Sequence, residues 1–424
     1  MRHTSTLVDI RTAFLQSDKY DIHERPRYIK VVNPLDPTQI LYARLVSPMY
    51  GQRSAPRRWE DTLAPWLESL GFKRGDNEPS IFYRSQDNMV ILVYVDDLIA
   101  DGDDASIDEF LTSLKARFEI NDPVFLTLEQ SIDFIGIDIE LQQVCGDSHQ
   151  PHHTVVVMSS QAYCDRLLTN LGMQNCSPSE APITGDINED VPLEDKKDIE
   201  WYRSGVGGIG WLSTTTRCDL QLVFSRLGQF LAKPTVGAVK VLRQTLRYIK
   251  GTSHYAMTMP LNLTSNVFQF WCDSDHASNK ATSNKRRSQT GFVCTMNGVP
   301  MVSKSTAQNV VTLSSTEAEI YAGSSAISHF QHFKFIVEEL GLEGFPTPFT
   351  LQIDNSAAER FMEDTKGNSR LKHIDVREAW VKEMRDRGLV IPEHVGTDDN
   401  LADLFTKPLP APKLRAHTQR IMRI

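Results

Sequence analysis

The chain has 424 residues, enough for two or three domains that each bury a core of their own. Its apolar content of 40% and charged content of 23% are ordinary for a soluble globular protein, and no apolar run approaches the length of a membrane span. The net charge of −9 excludes nucleic-acid binding through overall charge, so such binding would depend on local basic faces. The N-terminus lacks the apolar core of a signal peptide, and we expect an intracellular protein.

The first predicted element is a short strand within Leu7–Leu15 that carries Asp9 and continues into a turn or helix. A carboxylate in an apolar strand costs roughly several kcal/mol unless it is paired or bound to a metal ion. Asp9 is therefore a candidate metal ligand. The alternative is that Asp9 caps the N-terminus of the segment that follows.

A loop rich in Gly and Pro spans 47–58, and apolar residues at helical spacing from Trp59 to Leu70 predict a helix after it. Arginines cluster around this loop and are suited to binding phosphates, although a solvated basic surface is the alternative. These arginines are Arg53, Arg57 and Arg58.

An apolar, β-branched run over 88–95 reaches Asp96 and Asp97, and a second apolar run follows at once. This pattern predicts a hairpin with both aspartates in its tight turn. Two carboxylates forced together repel each other unless a cation lies between them, and Mg²⁺ suits such oxygen ligands. The alternative is an ordinary turn, since Asp is common in turns.

The middle of the chain alternates between predicted helices, strands and loops. We predict a helix over 101–118, strands over 132–140 and 154–158, a helix over 161–171 and a linker over 177–198. The loop between the two strands contains Cys145, His149, His152 and His153; a polar loop is the preferred interpretation, with a metal site as the alternative.

Two helical stretches follow, over 202–231 and about 235–250. The second has an apolar face and a separate basic stripe suited to following a phosphate backbone, with a solvated face as the alternative. The stripe consists of Lys240, Arg243, Arg247 and Lys250.

A further unit begins near 264, with strands over 268–275, 291–296, 300–303, 349–354 and 389–395. Helices are predicted over 315–340, 355–363, 374–387 and 400–406. Acidic residues lie on several of these elements, as a two-metal site for phosphoryl transfer requires. They are Asp273, Glu317 or Glu319, Asp354 and Asp403.

Many short motifs occur together in a fixed order. In the first part they are Val8–Leu15, Tyr50-Gly51, Ala55-Pro56-Arg57, Tyr94–Asp97, Tyr202–Gly207 and Leu246–Thr252; in the second, Asp273–Asp275, Ser314–Glu319, Asp354-Asn355, Lys372–Asp375 and Asn400–Lys407. In this order and spacing, the chain resembles the reverse transcriptase and ribonuclease H regions of Ty1/copia-type retrotransposon Pol polyproteins.

The resemblance implies an RNA-directed DNA polymerase whose catalytic acids are Asp9, Asp96 and Asp97, with Asp9 and Asp96 as direct metal ligands. It also implies nucleotide- and template-binding roles for Phe14, Tyr50, Gly51 and Arg57. Phe14 would exclude ribonucleotides by a steric clash at the sugar 2′ position.

For the ribonuclease H part, the resemblance implies catalytic, metal-binding acids at Asp273, Glu319, Asp354 and Asp403. We choose Glu319 over Glu317 because the residues after Glu319 fit the ribonuclease H helix better. Each active site would take two Mg²⁺ or Mn²⁺ ions. His373 is a family landmark, interpreted as a structural histidine.

The fold implied is α+β and multidomain: a reverse-transcriptase palm and thumb followed by an α/β ribonuclease H-like domain with a mixed five-stranded sheet. We predict a palm over 1–125, the palm end, thumb and connection over 126–263, and the ribonuclease H domain over 264–424. The implied partners are RNA template, DNA primer, RNA–DNA hybrid and dNTPs, with Gag particles or integrase as further partners and no membrane. The implied location is a cytoplasmic particle or the nucleus.

The chain starts eight residues before Asp9, whereas the family's fingers subdomain precedes this motif. We therefore expect an N-terminally truncated polymerase that extends primers poorly. The alternative function is an impaired retroelement fragment or nucleic-acid-binding relic that retains at most cleavage of RNA–DNA hybrids.

Overall fold

The computed structural model describes residues 3–21, 23–144, 153–187, 191–261, 265–277, 286–356 and 375–422. The chain forms two compact units, Met1–Ile135 and Gly136–Ile424. The division into three domains at 125 and 263 stays a prediction. Within the described ranges, no helix is both long and apolar enough to cross a membrane.

The first unit is built on an antiparallel sheet whose strands run in the order β4-β5-β6-β7-β1-β8. Alternate residues of β6 and β7 are buried, as expected for a sheet with one covered face. The strands are β1 (His3–Asp9), β4 (Lys73–Arg74), β5 (Ile81–Arg84), β6 (Met89–Tyr94), β7 (Asp97–Asp103) and β8 (Val124–Phe125).

Two helices contribute to the core of this unit, α1 (Ala55–Ser69) and α2 (Asp104–Arg117). Helix α1 has a proline in its first turn, where no intrahelical N–H partner is lost. The Asp103 side chain caps α2 by accepting hydrogen bonds from the backbone amides of Ala105 and Ser106. The helix therefore begins at Asp104, later than the predicted residue 101.

The remaining elements of the first unit are a 3₁₀ turn at Ala13–Gln16, the two-stranded hairpin β2 (Tyr28–Asn33) and β3 (Asp36–Arg44), and β9 (Ile132–Phe134). The hairpin was not among the sequence predictions. Nearly every residue of β3 is exposed, so this strand lacks the apolar alternation by which a half-buried strand is recognised.

The second unit begins with the antiparallel strands β10 (Ile137–Val144), β11 (His153–Ser159) and β12 (Ala256–Pro260). Four helices follow β11 in the sequence and pack around one hydrophobic core. They are α3 (Gln161–Asn170), α4 (Lys196–Thr214), α5 (Gln221–Gly228) and α6 (Val236–Gly251).

The predicted helix over 202–231 is wrong as one element, because it divides into α4, a 3₁₀ turn at Cys218–Leu220, and α5. A buried ion pair lies at the break. The Arg217 guanidinium donates to both carboxylate oxygens of Asp219 at 2.9 and 2.8 Å, and it also donates to the Thr252 carbonyl at 2.9 Å.

The five-stranded sheet of the second unit has the order β15-β14-β13-β16-β17. Its first three strands pair antiparallel, whereas β16 pairs parallel with both β13 and β17, so the sheet is mixed. The strands are β13 (Phe268–Asp275), β14 (Gln289–Met296), β15 (Val299–Ala307), β16 (Phe349–Ile353) and β17 (Val390–His394).

Helices α7 (Ser315–Glu339) and α8 (Asp375–Asp386) share an apolar core with this sheet. A 3₁₀ turn at Leu401–Phe405 and α9 (Ala411–Ile421) follow β17. Phe405 and Leu414 belong to the core that contains the helices α3–α6. The predicted helix over 355–363 falls almost wholly outside the described residues.

Candidate active sites

Three acids of the first unit lie at one end of its sheet. Asp9 is the last residue of β1 and lies opposite Asp97 in the β1–β7 register. Asp97 also pairs with Tyr94 across the β6–β7 hairpin. The turn therefore consists of Val95 and Asp96, and the expectation that both aspartates form the turn is wrong, because Asp97 begins β7.

The turn residue Val95 has a φ of +57°, an uncommon conformation for a β-branched side chain. A positive φ at the first turn position belongs to the hairpin turns that match the twist of the strands. The Trp59 indole N–H donates to the Val95 carbonyl at 2.5 Å. Helix α1 thus holds the turn that presents Asp96.

Burial raises the pKa of Asp97, and the negative charges of Asp96, Asp9 and Asp133 raise it further. A divalent cation would relieve this repulsion. The Tyr50 hydroxyl donates to Asp96 Oδ2 at 3.4 Å, and the Asn121 amide donates to Asp9 Oδ2.

Asp9 is not a helix cap, because Thr12 occupies the N-cap position of the 3₁₀ turn that follows. The rings of Phe14 and Tyr50 lie 4.6 Å apart, which brings both aromatic residues beside the acids. Gly51 has a φ of +90°, a conformation that favours glycine. Arg57 is exposed and pairs with Asp61 at 3.0 Å on the surface of α1.

In the second unit, three acids converge from separate elements. One carboxylate oxygen from each lies within 4.8 Å of the other two. Asp273 lies on β13, Glu319 on α7 and Asp354 directly after β16. Among the described residues, this is the single group of three or more ligand-type side chains at such spacing, so Asp9, Asp96 and Asp97 do not converge to that extent.

Asp273 and Glu319 are buried, Asp354 is half-buried, and the three carboxylates concentrate negative charge. Burial raises the pKa of Asp273 to about 7, with Lys407 opposing the shift and Asp403 and Asp354 adding to it. Burial likewise raises the pKa of Glu319 well above its ordinary value. Such groups accept a divalent cation readily, because the ion offsets the repulsion that burial amplifies.

The two carboxylate oxygens of Glu319 have different surroundings. Its Oε1 accepts a hydrogen bond from the Ser274 amide at 3.2 Å. Its Oε2 is buried and has no hydrogen-bond partner in the described part of the chain. A buried, unpartnered carboxylate oxygen beside two further carboxylates fits Mg²⁺ or Mn²⁺.

Glu317 lies at the start of the same helix and has a different role. Its Oε2 accepts from the Leu313 amide at 2.7 Å, and its own amide donates to the Ser314 hydroxyl at 3.1 Å. These contacts resemble a capping box, which satisfies free amides at a helix N-terminus. Glu317 lies outside the cluster.

The fourth predicted acid, Asp403, is fully buried on the 3₁₀ turn Leu401–Phe405 and is also outside the cluster. Lys407 Nζ lies 2.7 Å from its Oδ1, and Lys413 Nζ lies 2.9 Å from its Oδ2. The Thr406 hydroxyl donates to Asp273 Oδ2. The segment 401–407 therefore brings an acid, a hydroxyl and an ammonium group to Asp273.

Gly291 makes this close approach possible. It lies opposite Asp273 in the β13–β14 register. A Cβ atom at this position would lie 2.6 Å from Thr406 Cγ2 and 2.7 Å from Phe405 Cβ. Only a residue without a side chain leaves room for the segment against the sheet.

The predicted basic stripe lies on α6, where three of its members are exposed and Lys250 is half-buried. Arg243 lies 4.8 Å from the centroid of the Trp201 ring, and the Arg247 guanidinium donates to the Ser177 carbonyl at 2.7 Å. Two of the four cations thus have structural contacts. The motif at Lys372–His373 and the loop residues Cys145, His149 and His152 lie outside the described residues.

Sequence reasoning missed Gly291 and Lys413 as residues of these sites, and it assigned no role to Thr406 and Lys407 within the motif Asn400–Lys407. Lys407 follows Asp403 by four positions, a spacing typical of helical ion pairs, and this signal could have indicated it. The other contacts join residues far apart in the chain, so no local pattern reveals them.

The comparisons with known proteins agree with this architecture. Residues 3–185 match the family model described as reverse transcriptase (RNA-dependent DNA polymerase). The chain is 26% identical to the retrovirus-related Pol polyprotein from transposon TNT 1-94 of Nicotiana tabacum, over 96% of this chain and 30% of that protein. It is 33% identical to an uncharacterised mitochondrial protein of Arabidopsis thaliana, over 55% of this chain and 90% of that protein.

Among solved structures, a foamy viral protease–reverse transcriptase in complex with an RNA/DNA hybrid covers 96% of this chain, with a TM-score of 0.50 and 11% identity. At this identity the likeness concerns the fold, and the predicted fold class of a reverse transcriptase joined to a ribonuclease H-like domain is confirmed. Residues 3–185 belong to the reverse transcriptase family, and the chain as a whole is similar to Ty1/copia-type retrotransposon Pol polyproteins. It spans less than a third of the length of the tobacco polyprotein.

Proposed function

We propose that this chain cleaves the RNA strand of RNA–DNA hybrids by two-metal-ion phosphoryl transfer at Asp273, Glu319, Asp354 and Asp403. The observation that carries the proposal is that carboxylate oxygens of Asp273 on β13, Glu319 on α7 and Asp354 after β16 lie within 4.8 Å of one another. When bound, the metal ions would activate a water molecule and stabilise the leaving oxygen.

The protein's own residues prepare this site. Thr406 fixes one oxygen of Asp273 through its hydroxyl, and the Ser274 amide fixes one oxygen of Glu319. Each hydrogen bond restricts the rotation of its carboxylate, so less rotational freedom is lost when a ligand binds. The RNA–DNA hybrid named with the foamy viral structure supports the substrate class.

The test is cleavage of a short hybrid with labelled RNA by the purified chain in Mg²⁺. Asp354→Asn and Glu319→Gln should each lower the rate by at least ~100-fold, the scale seen when one electrostatic group of an active site is removed. Glu317→Gln is the matched control, since Glu317 lies on the same helix outside the cluster, and it should retain most of the activity. Cleavage that depends on Glu317 and not on Glu319 would contradict the assignment.

The second function that we propose is RNA-directed DNA polymerisation at Asp9, Asp96 and Asp97, with RNA template, DNA primer and dNTPs as partners. The pairing of Asp9 with Asp97, the turn that presents Asp96 with a positive φ at Val95, and the adjacent rings of Phe14 and Tyr50 support it. Asp9 and Asp96 would hold the metal ions, which align the primer hydroxyl with the incoming α-phosphate when bound.

Primer extension on an RNA template tests this second function, with Asp96→Asn as the inactive variant. Extension by the purified chain that Asp96→Asn abolishes would support the site, whereas extension that Asp96→Asn leaves unchanged would contradict it. Contacts with Gag particles or integrase, and a cytoplasmic-particle or nuclear location, stay predictions.

A further inference from the structure

The ion pairs around Asp403 are unusual for a residue that the sequence predicts as a metal ligand. Both of its carboxylate oxygens are occupied by lysine ammonium groups, at 2.7 Å from Lys407 and 2.9 Å from Lys413. Asp403 is fully buried, so its charge needs a positive partner in the folded protein. These two lysines supply it.

The two lysines differ in what else they contact. Lys407 Nζ also lies 3.8 Å from Asp273 Oδ2, so it bridges Asp273 and Asp403. Lys413 instead reaches outward to Asp398 Oδ1 at 3.2 Å and to the Thr397 carbonyl at 2.9 Å. Lys407 therefore occupies the space between two acids of the site, and Lys413 anchors Asp403 from the other side.

The Lys407 ammonium group lies between Asp273 and Asp403. A divalent ion that bound both of these carboxylates would compete with Lys407 for this position. The three acids of the cluster offer a first ion its ligands without Asp403. The side chain of Lys407 is 34% exposed, so its flexible stem has a path to solvent. Asp403 also has its ion pair with Lys413, and Asp273 also has its hydrogen bond from Thr406, and neither contact involves Lys407.

We propose that the Lys407 ammonium is a built-in cation at the second-ion position, so that a divalent ion binds there only when Lys407 withdraws. This proposal rests on the proposed cleavage function and assigns a positioning role to Lys407. Asp273, Glu319 and Asp354 would hold the first ion, and Asp273 with Asp403 would hold the second more weakly, because Lys407 would first have to move its positive charge away. The two ions would therefore bind one after the other, and Lys407 would determine the affinity for the second ion.

The test is a titration of the purified protein with Mn²⁺ alone, monitored by electron paramagnetic resonance. All variants carry Asp96→Asn, which removes a candidate metal ligand from the first unit. Two adjacent Mn²⁺ ions give a spin-coupled signal that a single ion does not. We expect Lys407→Met to lower the Mn²⁺ concentration at which the coupled signal appears by at least tenfold. Lys407→Arg, which keeps the charge, should behave as the parent protein does.

Lys413→Met is the matched control, because it removes the same charge from Asp403 without opening the gap beside Asp273. We expect it to change the second affinity by less than threefold. A coupled signal in Lys407→Met at the same Mn²⁺ concentration as in the parent protein, or an equal effect of both methionine variants, would overturn the proposal. Thermal unfolding of each variant confirms that the fold is intact.

The failure of this proposal can be distinguished from the failure of the proposed cleavage function. If no variant cleaves a hybrid but Lys407→Met strengthens the second ion, the cleavage function fails and the role of Lys407 holds. If the parent protein cleaves hybrids and Lys407→Met leaves the second ion unchanged, the role of Lys407 alone is wrong.

Discussion

Replacement of Gly291 by alanine probes the contact that brings the 401–407 segment to Asp273. The added Cβ would lie 2.6 Å from Thr406 Cγ2, 2.7 Å from Phe405 Cβ and 3.0 Å from the Phe405 carbonyl carbon. Ordinary contacts between carbon atoms are about 3.5–4.0 Å. The segment must therefore move away from the sheet by about 1 Å, because one of the three close atoms belongs to the backbone.

This displacement has two expected effects. Overpacking of a filled core costs about 1–3 kcal/mol, and we expect the free energy of unfolding to fall by that amount. The hydrogen bond from Thr406 to Asp273 would lengthen beyond its useful range. Since a shift of ~1 Å in supporting structure can cost about 100-fold in rate, kcat for hybrid cleavage should fall by roughly 10- to 100-fold.

The assay combines urea denaturation with single-turnover cleavage of a labelled hybrid. Gly207→Ala is the matched control, because Gly207 is exposed on α4 and its added Cβ would meet no atom within 4 Å. That substitution should raise the free energy of unfolding by about 0.5–1 kcal/mol. If Gly291→Ala fails to fold, Thr406→Val tests the same hydrogen bond without added volume. Unchanged cleavage and unchanged stability in Gly291→Ala would refute the reasoning.

Three further predictions concern stability, measured by urea denaturation. Trp59→Phe should lower the free energy of unfolding by about 1–2 kcal/mol, because the Val95 carbonyl loses its indole donor; an unchanged midpoint would show that the contact contributes nothing. In the metal-free protein, burial raises the pKa of Asp273 from 3.8 to about 7, so the folded state binds more protons than the unfolded chain and stability falls as pH rises through this window. Asp273→Asn should make this fall shallower, and an identical pH profile would contradict it. Arg217→Met should cost about 3–5 kcal/mol, since Asp219 is left buried without its partner, whereas a loss under 1 kcal/mol would mean that Asp219 finds another.

Local pattern determined much of this protein. The apolar pattern predicted strands at Phe268–Asp275 and Phe349–Ile353 and a helix at Ser315–Glu339 to within one or two residues, because apolar residues are concentrated in these buried elements. The motif order also indicated the family, and the family match confirms that resemblance. The choice of Glu319 over Glu317 rested on the residues next to it and stays a prediction about catalysis.

Pattern was less informative where tertiary contacts override local preference. In the hairpin at Tyr28–Arg44, β2 alternates between exposed and half-buried residues, whereas β3 is exposed over nearly its whole length and has no periodic signal. The break between α4 and α5 follows from the buried pair Arg217–Asp219, whose partner Thr252 is distant in the sequence. The turn at Val95 and Asp96 differs from the predicted Asp-Asp turn, since strand register decides which residues close a hairpin.

The sequence by itself determined which acids are available, since carboxylates at strand and helix ends are visible in the order of the residues. Only the tertiary structure decided which of them meet. Asp273, Glu319 and Asp354 converge because β13, α7 and β16 pack together, whereas Asp403 is held in ion pairs by Lys407 and Lys413. The physical reason is that a metal site or an ion pair depends on distances of a few ångströms between residues remote in the chain, and these distances are set by packing.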